Sequence, residues 1–164
     1  MVQQIQPIQR ILVAVDFSAN AQAVLPLAVH LAKKLGAQLR LLHVVELTPY
    51  DLYGQLGMFE SAPALVSPPD ALPGGLVEKA SLESVQHLEA IAHKGAPGAE
   101  VRVRQGRVLD QILEEIQAWD AHLLVLSTHG WTGLTRLLMG STTEKLVRVS
   151  PIPVMTFHPP DVEA

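Results

Sequence analysis

The sequence predicts an α/β fold with an open, mostly parallel five-stranded sheet and helices on both faces. A continuous apolar run occurs at residues 11–15, and mainly apolar segments of strand length occur at residues 39–45 and 122–127; such segments are typical of parallel strands covered on both sides. Segments with helical spacing alternate with the strands, in the order βαβ, a long proline-rich segment, then αβαβαβ. One helix per crossover is the pattern of doubly wound sheets.

Length and composition fit one globular domain over residues 1–164, with 48% hydrophobic residues. The chain has no cysteine, which excludes disulfides, thiolate metal sites and a cysteine nucleophile. No signal layout and no apolar run of about 20 residues is apparent, so we expect a cytoplasmic protein without a membrane segment. The net charge is −4, and Arg102, Arg104 and Arg107 form the only local basic cluster. We interpret them as a solvated strand face and expect no nucleic-acid partner.

The first predicted strand, residues 11–15, ends at Asp16 and leads into a segment with helical spacing. Ser18 is a candidate N-cap, and basic residues followed by a glycine mark the end of this helix. Pro26 lies inside the span, so the sequence predicts one kinked helix. The strand at residues 39–45 then completes a right-handed βαβ unit.

Residues 46–75 carry five prolines and little periodicity. A connection of this length is unusual inside a compact domain. We interpret it as a flap or partner surface, with a short helical turn near residues 50–59.

The second half of the chain alternates helices with strands. The segment at Glu100–Gln105 alternates strictly between polar and apolar residues, which indicates a strand with one wetter face at a sheet edge. The other predicted elements are a helix over residues 76–91, a helix at Val108–Ala118, a buried strand at residues 122–127, a helix at residues 142–149 and a short strand at Val154–Phe157.

Polar residues and glycines cluster where the predicted strands end. Open parallel sheets bind ligands beyond the carboxyl ends of their strands, where strand order reverses. A strand followed by a glycine-rich loop and a helix N-terminus favours a phosphate, through backbone N–H groups and the helix dipole. The residues collected there are Asp16, Val44, Val45, Ser127, Gly130, Gly133 and Gly140.

The best local signal is the start of the helix after Gly140. Ser141 is a candidate N-cap, and Glu144 three residues later completes the pattern of a capping box. The N–H groups of Ser141, Thr142 and Thr143 would then point toward the strand ends, with no side chain at Gly140 in the way. The alternative is a well-capped helix start without a ligand.

Other motifs are absent or ambiguous. A Walker loop fails because no lysine follows Gly140, and the dinucleotide fingerprint, HExxH and G-x-S-x-G are also missing. Gly130 and Gly133 could be simple turn residues. A histidine in a loop, such as His129, is more often a hydrogen-bonding spacer than an acid or base. Asp16 either caps the following turn or accepts a hydrogen bond from a ribose hydroxyl or an exocyclic amine.

The chain resembles the universal stress proteins of the nucleotide-binding type over residues 10–158. The matching segments are "ILVAVDFS", "LRLLHVVE", "VRQGRVLDQILEEI" and "STHGWTGLTRLLMGSTTEKLVRVSPIPVMTF". The family's ATP motif is Gly, two residues, Gly, nine residues, Gly, then Ser or Thr. Gly130, Gly140 and Ser141 match it, whereas Ser127 occupies the position of the first glycine.

The resemblance implies a Rossmann-like, adenine nucleotide alpha hydrolase-like fold that binds ATP, with Mg²⁺ held mainly by the phosphates. Asp16 and the Val44 backbone are expected at adenosine, and Gly140, Ser141 and Thr142 at the outer phosphates. The expected nucleotide-binding residues are Asp16, Val44, Ser127, His129, Gly130, Gly133, Gly140, Ser141 and Thr142. No catalytic residue and no metal held by protein side chains are expected.

The resemblance further implies a regulatory protein of the stress response that forms a homodimer through its last strand, Val154–Phe157. Two alternatives remain open. One is a dimeric interaction module of the same fold that binds no nucleotide, which Ser127 motivates. The other is ATP hydrolysis, which would be slow because the loop lacks a lysine to stabilise transferred charge. The physiological ligand among ATP, AMP and cyclic AMP also stays open.

Overall fold

The computed structural model describes residues 6–46, 76–128 and 140–158, and these form a five-stranded sheet in the order β3-β2-β1-β4-β5. The strands are β1 (Arg10–Ala14), β2 (Gln38–Val45), β3 (Glu100–Gln105), β4 (Leu123–Ser127) and β5 (Val154–Phe157). The helices are α1 (Ala19–Ala23), α2 (Leu25–Leu35), α3 (Leu76–Gly95), α4 (Val108–Ala118) and α5 (Ser141–Val149). All four strand pairings are parallel. The predicted flap lies outside the described residues, apart from Glu46 at its start.

The predicted fold class is confirmed. The strands at Glu100–Gln105 and Val154–Phe157 have the predicted bounds. β2 and β4 differ from theirs by one residue at the start, and β1 begins and ends one residue earlier than predicted. β3 lies at a sheet edge, as its alternating pattern indicates. Strand order reverses between β1 and β4, so a ligand crevice is expected beyond their carboxyl ends.

Helices cover both faces of the sheet because successive strand residues point to opposite sides. Ile11 and Val13 of β1 belong to a core cluster that includes buried residues of α2 and α3. Leu12, between them, belongs to a second cluster with buried residues of α4 and α5. β1 is thus buried on both sides, which accounts for its unbroken apolar run. Within the described residues, no helix is long and apolar enough to cross a membrane.

The prediction of one kinked helix after β1 is wrong, because the chain forms two helices that meet at Val24. Ser18 is the N-cap of α1, and its Oγ accepts a hydrogen bond from the Ala21 N–H at 3.0 Å. Pro26 falls in the first turn of α2. A first-turn N–H has no intrahelical acceptor, so proline costs nothing there. The expected kink is therefore replaced by a helix start.

The interpretation of the arginine cluster as a solvated face is wrong for Arg104. Its side chain is 18% exposed and its Nε lies 2.5 Å from Oε2 of Glu115, a residue of α4 that is 1% exposed. Arg40 of β2 contacts the other oxygen of Glu115 at 2.6 Å and packs over the Trp119 ring at 4.2 Å. A buried carboxylate thus joins two strands to α4. Arg102 is more open, with a side chain that is 57% exposed.

Candidate functional site

A cavity of about 460 Å³ opens at the carboxyl ends of β1, β2 and β4, where strand order reverses. Its lining includes Asp16 after β1, Val44 in β2, Ser127 at the end of β4, and the first turn of α5. A second cavity of about 460 Å³ lies near the amino ends of β2 and β3 and contains none of the predicted site residues. The topological argument therefore places the site at the first cavity.

Six of the nine predicted binding residues line this cavity. They are Asp16, Val44, Ser127, Gly140, Ser141 and Thr142. The other three, His129, Gly130 and Gly133, lie outside the described residues, as does the rest of the segment at 129–139. The structure thus brings together the residues expected at adenosine and those expected at the outer phosphates.

Asp16 holds the turn that follows β1. Its Oδ1 accepts hydrogen bonds from the Ser18 N–H at 3.0 Å and the Ser18 Oγ–H at 2.6 Å. The turn-capping role considered from the sequence is therefore present. These two bonds also hold the carboxylate at the cavity wall, so the capping role leaves Asp16 in the lining of the cavity.

The start of α5 is fastened to the end of β4. The Thr128 N–H donates to the Phe157 carbonyl at 2.9 Å, and the Gly140 N–H donates to the Thr128 carbonyl at 3.0 Å. The Thr143 hydroxyl donates to the Ser127 carbonyl at 3.2 Å. These bonds direct the positive end of the α5 dipole toward the cavity at the strand ends.

The predicted capping box is wrong. Gly140 is the N-cap, Ser141 is the first helical residue, and Gly140 has no side chain to cap the first turn. The Glu144 carboxylate instead contacts Arg148 one turn later, at 2.8 Å. Hydrogen bonding of Gly140 to the end of β4 starts the helix one residue earlier than the capping pattern requires. The first-turn N–H groups are consequently not satisfied by the N-cap side chain.

Nothing in the backbone requires glycine at position 140. Its φ is −54° and its ψ is 142°, values open to any residue. A Cβ there would lie 3.6 Å from the Thr128 carbonyl oxygen and 3.9 Å from Thr143 Oγ1, which are ordinary contacts. Glycine therefore places no side chain before the first turn of α5, where any other residue would place one.

The described lining of the cavity is acidic. Asp16 and Glu46 are its charged residues, and it contains no lysine or arginine among the described residues. A polyanionic ligand would meet backbone N–H groups and the α5 dipole instead of a basic side chain. In the described part of the chain, no group of three or more His, Asp or Glu side chains could hold a metal.

Sequence reasoning missed an aromatic stack beside the cavity. The Phe17 ring lies between two imidazoles, with centroid distances of 3.8 Å to His43 and 4.2 Å to His87. His43 also lines the cavity, and its Nδ1 lies 2.7 Å from the Val15 carbonyl. Because a carbonyl only accepts, Nδ1 carries the proton in this bond. Phe17 and His43 are adjacent in sequence to the predicted site residues Asp16 and Val44, so their proximity to the cavity could have been foreseen. No pattern in the sequence points to His87.

Burial lowers the pKa of the His43 imidazole below its usual 6.5. The hydrogen bond to Val15 and the Asp16 charge act in the opposite direction, and His87 adds to the lowering. The net lowering of the pKa favours the neutral imidazole of His43, so no charge is buried beside the Phe17 ring.

Comparison with known proteins gives consistent matches to one family. The model of the Universal stress protein family matches residues 7–158. A universal stress protein from Thermus aquaticus is 31% identical over 147 residues, covering 88% of this chain and 95% of the relative. The solved structure of universal stress protein UspA from Lactobacillus plantarum is 27% identical and superposes with a TM-score of 0.63, covering 93% of this chain and 99% of the other.

Two further solved structures of the same fold contain adenine nucleotides. A universal stress protein in complex with cAMP is 20% identical, with a TM-score of 0.55 over 93% of this chain and 98% of the other. A universal stress protein from Archaeoglobus fulgidus in complex with dAMP is 19% identical, with a TM-score of 0.53 over 92% of this chain and 98% of the other.

Proposed function

The chain belongs to the universal stress protein family, and on this premise we propose that it is a cytoplasmic regulatory protein of the stress response that binds ATP. The observation that carries the proposal is one cavity that joins the ends of β1 and β2 to the N-terminus of α5. One end suits adenosine and the other suits phosphates.

The adenosine half lies at Asp16 and Val44. The Asp16 carboxylate is held at the cavity wall by its turn bonds to Ser18, where it can accept a hydrogen bond from a ribose hydroxyl or an adenine amine. Val44 offers its backbone at the neighbouring strand end. The cAMP and dAMP bound by two proteins of this fold share the adenine that this half would receive, which supports the assignment.

The phosphate half lies at the first turn of α5. The N–H groups of Ser141, Thr142 and Thr143 have no intrahelical acceptor, and Gly140 places no side chain before them. The family resemblance assigns the outer phosphates to this turn, so these contacts would favour ATP over AMP. Since the described lining carries two carboxylates and no lysine or arginine, Mg²⁺ on the phosphates would offset the repulsion.

Hydrolysis is the weaker alternative. Among the described residues of the cavity, no lysine or arginine is placed to stabilise charge on a transferring phosphate. Binding without rapid turnover therefore suits this lining better.

Asp16→Asn is the test of the adenosine half. Asparagine keeps an Oδ1 acceptor for the Ser18 turn but removes the charge, so the affinities for ATP and AMP should both fall about tenfold, the difference between a charge-assisted and a neutral hydrogen bond. Calorimetric titration measures both affinities. Asp110→Asn, a half-exposed carboxylate on α4, is the control and should change neither. Wild-type affinity for both nucleotides in the Asp16 variant would place adenosine elsewhere.

We also propose that the protein forms a homodimer through β5. β5 is an edge strand, and the carbonyls of Pro153 and Phe157 accept hydrogen bonds from β4. By alternation, the backbone groups of Val154 and Thr156 face away from β4. An apolar edge with outward backbone groups is a template for pairing with a second strand.

Thr156→Pro tests this dimer because it removes one outward donor and leaves the bonds to β4 in place. The dimer should dissociate to a monomer at micromolar concentration, as followed by analytical ultracentrifugation. Thr156→Val keeps the N–H and should remain dimeric. A folded Thr156→Pro protein that sediments as a dimer would exclude β5 as the interface.

A dimeric interaction module that binds no nucleotide is the second candidate function. Ser127 favours it, because this residue lines the cavity at the position of the family's first glycine. The two candidates differ in whether the wild-type protein binds ATP at all.

A further inference from the structure

The turn after β1 has an unusual backbone conformation. Phe17 has a φ of 65°, in the left-handed region that residues with a side chain rarely adopt. It stands between Asp16 and Ser18, whose hydrogen bonds place the Asp16 carboxylate at the cavity. A strained residue beside a binding site requires surrounding contacts that fix it.

The aromatic stack supplies those contacts. The Phe17 ring is nearly parallel to both imidazoles, with interplanar angles of 19° to His43 and 18° to His87. Both faces of the phenyl ring are therefore covered, which restrains the side chain and with it the backbone of the turn. The Phe17 carbonyl also accepts a hydrogen bond from Gln22 Nε2 at 3.3 Å.

His43 ties the inner side of the stack to the end of β1. Its Nδ1 donates to the Val15 carbonyl at 2.7 Å, and the Val15 N–H donates to the Leu42 carbonyl at 2.8 Å. Both polar backbone groups of the residue before Asp16 are thus fixed to β2. The separation between Asp16 and Val44, the two residues assigned to adenosine, depends on these bonds.

His87 forms the outer side of the stack and belongs to a different element. It lies on α3, which is anchored in the core by Leu88 and Ile91, with exposures of 0% and 7%. His87 itself is exposed, so it contributes little to the core. Its ring contact with Phe17 connects α3 to the turn that carries Asp16.

We propose that His87 is a positioning residue for nucleotide binding, acting through Phe17 on Asp16, so that the position of α3 and the affinity for adenosine are coupled. This inference rests on the proposed function, because it concerns the same site.

The experiment compares His87→Ala with His87→Phe in the full-length protein. Loss of one stacked ring should weaken ATP and AMP alike about fivefold, because both share the adenosine half. His87→Phe restores a ring against Phe17 and should return both affinities to within about twofold of wild type. His93→Ala, an exposed histidine on the same helix, is the matched control and should bind as wild type.

A second readout needs no ligand. The Ser18 N–H donates to Asp16, so its hydrogen exchange, measured by NMR, reports whether the turn is held. Exchange at Ser18 should accelerate in His87→Ala and return to the wild-type rate in His87→Phe, with equal thermal midpoints in all three proteins.

The outcomes separate the two proposals. Unchanged Ser18 exchange and unchanged affinity in His87→Ala would overturn the positioning role, as would a loss that His87→Phe fails to rescue. Wild-type protein that binds neither nucleotide would overturn the proposed function instead. Ser18 exchange would then decide alone whether His87 positions the turn.

Discussion

Gly140→Asp is expected to lower the affinity for ATP about a hundredfold while leaving the protein folded. Gly140 is the N-cap of α5, with a backbone conformation that aspartate adopts readily, and a Cβ there meets only ordinary contacts. Aspartate is also a better N-cap than glycine, so α5 should not lose stability. Its carboxylate would accept the first-turn N–H groups that we assign to phosphates and would repel the phosphates themselves.

Gly140→Asn is the matched control for this prediction. Asparagine has the same shape and capping ability without the charge, so the expected loss is about tenfold or less. The loss of ATP affinity in Gly140→Asp beyond that in Gly140→Asn measures the repulsion between the added carboxylate and the phosphates near α5. Affinity for AMP should fall less than affinity for ATP in both variants. Calorimetry with Mg²⁺ present gives all four values. Wild-type ATP affinity in Gly140→Asp would show that the outer phosphates bind away from α5.

Glu115→Gln is expected to reduce the free energy of unfolding by about 3 kcal/mol. The Glu115 carboxylate is 1% exposed and contacts Arg40 at 2.6 Å and Arg104 at 2.5 Å. Removing its charge leaves two largely buried guanidinium groups facing a neutral amide. Breaking one side of a buried ion pair is costly because the remaining charge stays desolvated. Urea denaturation followed by circular dichroism measures the change.

Glu114→Gln is the control, because Glu114 contacts the same Arg104 at 3.1 Å but is 58% exposed. Exposed pairs contribute little, so this variant should lose less than about 1 kcal/mol. Equal losses at positions 114 and 115 would contradict the role assigned to burial. A changed urea dependence of the unfolding free energy in Glu115→Gln would indicate an altered native or denatured state instead.

The fold was predictable because its signals are local. Each signal spans only a short stretch of the chain, as in the alternating segment at Glu100–Gln105 and the helical spacing at Val108–Ala118. Both elements have the predicted bounds. The broken helix was harder to foresee. Pro26 marks either a kink or a helix start, and the choice depends on whether the chain can turn at Val24, which packing on β1 decides.

The candidate site was predictable where the strand ends bring residues together. The positions of Asp16 and Gly140 follow from the parallel sheet and the reversal of strand order. The capping pattern predicts a helix start one residue too late. The actual start is set by the hydrogen bond from Gly140 to Thr128, which joins two segments that are separated by residues 129–139 in the sequence. Short-range patterns do not contain such bonds.

Contacts between distant segments account for the other omissions. Glu115 is an acid on the inner face of α4, but its partner arginines come from two separate strands. The stack of His43, Phe17 and His87 likewise joins β2, α3 and the turn after β1. These pairings depend on the strand order β3-β2-β1, which places distant segments side by side.

The central claim, that the cavity binds ATP through adenosine at Asp16 and phosphates at α5, is tested most directly by calorimetric titration of nucleotide-free wild-type protein. ATP and AMP are compared with and without Mg²⁺. We expect ATP with Mg²⁺ to bind more tightly than AMP, and removal of Mg²⁺ to weaken ATP binding far more than AMP binding. Absence of binding by either nucleotide at millimolar concentration would contradict it and would favour the interaction module with its β5 edge.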